Sequence, residues 1–292
     1  MSEKEFNNKV YFVCYADGPL YEKTQRKFIE TYKKVGIDEI VLWNKKILSE
    51  TDFYKKKLAK LNKMFGSEKE RHGQRIYLLA WQPYIILDLL KKVKENDFII
   101  YADCSSKKFA SGFHYSVNPL LNYLHNNDLI YPAVHLAFRD HEESKCNYWT
   151  KDETFEIMNV DKNKHGEKNM CQHSYSIWRK NDLCEKILKE WLDYTTRYEC
   201  ILPPPSFQRS NIPFPRNVYQ RSHQTILTLL IIKYNLKVHS PTGPFPDNII
   251  IPGDGRKKDK SKGIYSQKAY LKNHNYPFQL ACENNLEPFV NI

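Results

Sequence analysis

A chain of 292 residues with 41% hydrophobic and 27% charged residues holds one large domain or two small ones and is too apolar to be a disordered chain. A net charge of +11 admits nucleic acid, an anionic membrane or a phosphorylated small molecule as partner, and does not choose among them. Seven cysteines without CxxC spacing argue against a disulfide framework or structural zinc, a polar MSEKEFNNK start against a signal peptide, and the short apolar stretch at 225–232 against a membrane span.

The first predicted element is a strand at 10–16, VYFVCYA, closed by the turn residues Asp17-Gly18-Pro19. A helix follows over 20–35, with Tyr21, Phe28 and Tyr32 near helical spacing and Gly36 as its stop. EIVLWN at 39–44 is a second strand, and a lysine-rich helix runs from about 51 to 64. The segment AWQPYIILDLLKKV, 80–93, is a helix with Pro83 in its first turn. FIIYAD at 98–103 is a third strand.

Strand, helix, strand, helices, strand is the order of a parallel sheet with right-handed crossovers. All three strands lack polar alternation, as strands covered on both faces do. Beyond them the pattern predicts a helix at 117–125 and one or two strands at 128–138. A helix follows at 150–160, opened by a Thr150 cap with Glu153 at capping-box spacing. Next come a strand at 174–180, an amphipathic helix at 181–198 and a proline-rich loop at 201–217. A helix at 222–235, a strand at 236–240 and a Pro/Gly/Lys-rich tail that wraps the surface complete the chain. This is one α/β domain in two halves. About 8–110 is the regular half, about 111–245 the less regular half, and 246–292 the tail.

In open parallel sheets, ligands bind beyond the carboxyl ends of the strands. Two such ends are chemically loaded: Tyr15-Ala16-Asp17-Gly18 and Asp103-Cys104-Ser105. A carboxylate at Asp103 suits Mg²⁺ or Mn²⁺ and, through it, phosphate oxygens; it equally suits a turn cap. No GxGxxG and no GxxxxGK[ST] is present, so neither NAD binding nor a P-loop is indicated. Arg71, Arg75 and Lys107-Lys108 are cations that could neutralise a diphosphate. His173, His223 and His239 lie at element ends, where a histidine can act as base or ligand. Trp43, Trp149, Trp178 and Trp191 read as core.

The stretches VYFVCYAD, AWQPYIILDLLKKVKENDFIIYADCSS, NYWTKDETFEIMNVD, CQHSYSIWRKNDLCEKILKEWLDY and RSHQTILTLLIIKYNLKV resemble small GT-A-type glycosyltransferases of the kind common in bacteria and large DNA viruses. The resemblance covers most of residues 10–240. It implies a GT-A-like domain with a mostly parallel central sheet flanked by helices, whose C-terminal half takes the acceptor. It implies that Tyr15, Ala16 and Asp17 border the base and ribose, with Trp81 and Gln82 beside the nucleotide or the sugar, where Arg75 would serve as a nucleotide-binding cation. Asp103 then stands first in a DxD-like metal motif, and Ser105 replaces its second acid. His223 and Gln224 stand where the related pattern reads Asp-Gln and carry the acid–base role. His173, Ser174 and His239 border the sugar or acceptor.

The reaction implied is transfer of a sugar from a UDP- or GDP-sugar to a hydroxyl of a glycan or protein, assisted by Mn²⁺ or Mg²⁺. The implied setting is the cytoplasm of a bacterium or of a virus-infected host cell, with no nucleic acid and no transmembrane segment but with peripheral membrane contact allowed. Two other functions stay open: a nucleic-acid-binding protein, and an inactive member of the same fold that binds carbohydrate or nucleotide.

Overall fold

Strand β1 (Val10–Tyr15) sends Val10, Phe12 and Cys14 to one face of a sheet and Tyr11, Val13 and Tyr15 to the other, the two-residue alternation of an extended chain. The computed structural model describes residues 7–61, 80–104, 113, 116–135, 145–201, 222–239 and 289–291. Helix α1 (Pro19–Thr31) leads to β2 (Glu39–Trp43), and α3 (Trp81–Leu90) leads to β3 (Phe98–Ala102). Between them a short α2 (Lys45–Glu50) precedes a π-helical turn at Tyr54–Leu58.

The central sheet has the order β2-β1-β3-β6, where β6 is Tyr175–Arg179. β1 is parallel to β2 and β3, and β6 is antiparallel to β3. The chain leaves β1 in one direction over one face through α1, and returns past it over the other face through α3. Reversing direction and face together keeps both crossovers in the same hand.

Both faces are covered at β1, β3 and β6, which explains their apolar runs, whereas the edge strand β2 is only part-buried along most of its length. On one face Phe28 of α1 packs edge-on to Phe12, ring centroids 4.8 Å apart. Leu120, Leu121 and Leu124 of α4 (Asn118–Asn126) complete that layer. On the other face lie α3, α8 (Asp182–Thr196) and α10 (Ser222–Lys233), the first two and the last two packed together. Trp178 stacks on Trp191 there, with ring centroids 6.2 Å apart. The four tryptophans read as core are buried, and so are the six described cysteines, all unpaired.

A second, smaller sheet has the order β5-β4-β7-β8, its first two strands in chain order lying between β3 and β6 and its last two after β6. Its strands are β4 (Val134–His135), β5 (Cys171–Gln172), β7 (Lys237–His239) and β8 (Phe289–Asn291). Three short helices precede β5: α5 (Cys146–Trp149), α6 (Asp152–Ile157) and α7 (Lys162–His165). A fourth, α9 (Tyr198–Ile201), follows α8. His173 and Ser174 are the link between β5 of the small sheet and β6 of the large one.

Three expectations are corrected. The helix expected at 150–160 shrinks to α6: Lys151 is its N-cap without a side-chain bond, Thr150 is extended, and Asn159 turns out at φ 54. The Thr150 hydroxyl is buried without a hydrogen-bond partner among the described residues, so the capping box does not form. The helix expected at 20–35 ends at Thr31 and tightens into a 3₁₀ turn at Tyr32–Val35 before Gly36. The tail contributes a strand: β8 pairs antiparallel with β7, while the rest of the tail lies outside the described residues. No described helix is long and apolar enough to cross a membrane.

Candidate functional site

β1 is flanked by β2 on one side and β3 on the other, so the chain steps from β1 to one neighbour and then back past it to the other. The links that leave the carboxyl ends of β1 and β3 lead to helices on one face, α1 and α4, and the link from β2 leads to α2 and α3 on the other. Ligands of such sheets bind beyond the carboxyl ends of the strands. The ends of β1, β2 and β3 lie here, with the start of α3, which runs back against the strands, and the start of β6.

Tyr15 closes β1 and stacks on Trp81, the first residue of α3, at 4.4 Å between ring centroids and 23° between planes. Trp81 is 9% exposed and Tyr15 half-buried, so tyrosine is the face of this pair that solvent meets. Ala16 is buried and its amide donates to the Trp43 carbonyl at 3.0 Å. Asp17, one residue on, is exposed. Gly18 follows with φ 92 and ψ 158, a conformation essentially confined to glycine. It caps α1, whose amino end, where partial positive charge accumulates, therefore starts four residues beyond the end of β1.

Asp103 sits just past β3 and is partly exposed. Its amide donates to the Ser174 carbonyl at 2.7 Å, fixing the strand tip to the β5–β6 link. The Tyr101 hydroxyl donates to its carboxylate. Burial, and then the Asp103 charge, push the Tyr101 phenol well above its usual range, so it stays protonated and remains a donor. Tyr101 was not foreseen as a site residue. The signal was available: residues two apart on a strand share a face, and Tyr101 and Asp103 are two apart.

Gln82, 1% exposed, donates from Nε2 to the His173 carbonyl at 3.1 Å. Trp191 Nε1 donates to the His223 carbonyl at 2.9 Å, and Gln224 Nε2 to the Cys171 carbonyl at 2.5 Å. Side chains of α3, α8 and α10 thus hold the backbone around 171–173 and 223. The rings of His173 and His223 lie 4.3 Å apart between centroids, each 6% exposed. Burial, and the neighbouring His173, push the His223 imidazole well below its usual range. Among the described residues its Nδ1 has no hydrogen-bond partner. In this conformation His223 is a neutral, enclosed ring rather than a base facing solvent.

The fold therefore gathers Tyr15, Ala16, Asp17, Trp81, Gln82, Asp103, His173, Ser174, His223 and Gln224 around one edge of the central sheet. His239 ends β7 in the small sheet. Arg71, Arg75, Ser105 and Lys107-Lys108 lie outside the described residues.

No group of three or more His, Cys, Asp or Glu side chains among the described residues is placed to cage a metal. A lone carboxylate at a strand end suits a hard cation that keeps several waters and shares a substrate's phosphates. A further depression of about 450 Å³ is lined by Asp152, Phe155, Glu156, Asn159, Val160 and Asp161; it belongs to α6 and the link to α7, not to the strand ends. Comparison of the chain with protein-family models, with curated proteins and with solved structures finds no match.

Proposed function

We propose that this chain is a GT-A-like glycosyltransferase that moves a sugar from a UDP- or GDP-sugar to a hydroxyl acceptor. One observation carries this above the others. The part-buried Tyr15 stacked on Trp81, the exposed Asp17 and the partly exposed Asp103 lie at the carboxyl ends of the adjacent parallel strands β1 and β3, the side on which such sheets bind ligands.

In this assignment Tyr15, backed by Trp81, offers a flat face to the base, and Asp17 accepts hydrogen bonds from the ribose. Asp103, with Ser105, would hold a Mn²⁺ or Mg²⁺ ion, which when bound offsets the charge that develops on the departing diphosphate. Tyr101 fixes one carboxylate oxygen of Asp103. The amino end of α1 adds a favourable field for the phosphates. His173, Ser174 and Gln224 form the wall on the acceptor side.

The test is a panel of sugar nucleotides scored for release of UDP or GDP. The expected result is turnover of one donor, with Tyr15→Ala raising KM more than it lowers kcat. Burial of His223 favours a second reading, a member of the fold that binds sugar nucleotide without turning it over. Tight binding of a sugar nucleotide with no nucleotide release from any donor would select that reading.

A further inference from the structure

Residues 44–61 contain six lysines, Lys45, Lys46, Lys55, Lys56, Lys57 and Lys60, against two acids, Glu50 and Asp52, and no arginine. All six lysines are exposed. They ride on α2 and the π-helical turn, which pack on each other and turn Leu48, Phe53, Leu58 and Leu61 into the core. Elsewhere many cations are tied to carboxylates, as Lys9 is to Glu39, Lys92 to Asp88 and Lys180 to Glu185. Here only Lys56 is, to Asp52 at 2.7 Å, with both side chains more than 70% exposed, a pairing of little energetic weight. The other five have no ion-pair partner among the described residues. Ile47 stands among them, 41% exposed.

We propose that this face binds the surface of an anionic lipid bilayer. Its net charge of +4, six lysines less two acids, complements a negatively charged leaflet, and each such lysine contributes about 1 kcal/mol near the surface. Ile47 is placed to enter the headgroup boundary, as apolar residues on basic surface helices do.

Two features separate a bilayer from a nucleic acid. The patch is built of lysine alone, a mobile point charge that tolerates a fluid array of headgroups. Recognition of nucleic-acid phosphates favours arginine's fixed fork. The two aromatics of the patch also turn to the core rather than standing open for base stacking: Phe53 is buried and stacked on Tyr84 at 4.2 Å, and Tyr54 packs part-buried against the same core. Lys45 follows Asn44 directly after the end of β2, so the face borders the strand-end crevice. A bound membrane would lie beside that crevice. The proposal does not depend on the reaction proposed above.

Co-sedimentation with vesicles tests it. Vesicles of phosphatidylcholine with about one-third phosphatidylserine are compared with pure phosphatidylcholine at low and at high salt. The expected result is salt-sensitive binding to the anionic vesicles only. Neutralising Lys55, Lys56 and Lys57 to Gln together weakens that binding by about two orders of magnitude, three lysines at about 1 kcal/mol each. A control triple at exposed Lys23, Lys33 and Lys34, also to Gln, weakens it far less. Ile47→Ser weakens binding without changing its salt dependence. Circular dichroism melts confirm that the variants fold. Equal loss in the two triples, or no binding of the natural chain to anionic vesicles, overturns the proposal. So does tighter binding of an oligonucleotide through the same three lysines.

Discussion

Replacing His223 with Phe keeps an aromatic ring of similar shape against His173 and removes one of the two buried imidazoles, leaving His173 in place. The backbone carbonyl that accepts from Trp191 is untouched. Burial holds the folded His223 pKa well below 6.5, so between 6.5 and that folded value the unfolded chain binds the extra proton. The stability of the neutral buried ring is fully present above about pH 6.5 and is lost as pH falls toward the folded pKa.

Below pH 6.5 and above the folded pKa the loss approaches about 1.4 kcal/mol for each pH unit. For a domain of this size that lowers Tm by roughly 3–6 °C per pH unit. Melting curves of the natural chain and of His223→Phe across that window read the difference. His165, also lowered by burial, contributes equally to both chains and cancels. Glu185, pulled down to about 2 by its hydrogen bonds to Lys180 and Lys189, stays ionised throughout. The expected result is a steeper acid decline in the natural chain than in the variant. Parallel curves would refute the buried neutral imidazole and return His223 to the crevice as an available base.

Four other substitutions have outcomes set by the same geometry. Tyr101→Phe removes the donor to the Asp103 carboxylate and costs roughly 1.5–3 kcal/mol by denaturant titration; no loss would mean that the pair carries no weight. Gly18→Ala meets no atom within 4 Å, so its cost is backbone strain at φ 92 alone, roughly 1–3 kcal/mol. Gly36→Ala adds a methyl 2.5 Å from Asn118 Oδ1 to similar strain, and a smaller loss at Gly36 than at Gly18 would contradict the packing described. Ile100→Ala in the fully covered β3 costs roughly 2–5 kcal/mol; a cost under about 1 kcal/mol would contradict a strand enclosed on both faces.

The sequence showed the sheet best where burial is two-sided. VYFVCY and FIIYA are unbroken because each carries core on both faces, and both appear as strands at the expected positions. Asn44 capping α2 through Ile47 was hidden because NKKILSE has no apolar period long enough to register. Strand β5, two residues long, is too short for any periodicity, and of the one or two strands expected at 128–138 only the two residues of β4 pair as a strand among the described residues.

The crevice was half legible. Asp103 and Tyr15 could be placed at strand ends because an end is a local property. The Tyr15–Trp81 stack, the His173–His223 pair and the grip of Gln82 on His173 join segments far apart in sequence, which no local pattern encodes. Burial was the least legible property: His223 and Gln82 look as available in the sequence as Asp17, yet only Asp17 is exposed.

Thermal stabilisation by UDP and by GDP, each with and without Mn²⁺, tests the strand-end crevice most directly. The account predicts that one nucleotide raises Tm, that Mn²⁺ enlarges the shift, and that Asp103→Ala removes the Mn²⁺-dependent part while the variant still folds. A nucleotide shift unchanged by Mn²⁺ and by Asp103→Ala, or no shift with either nucleotide, would contradict it.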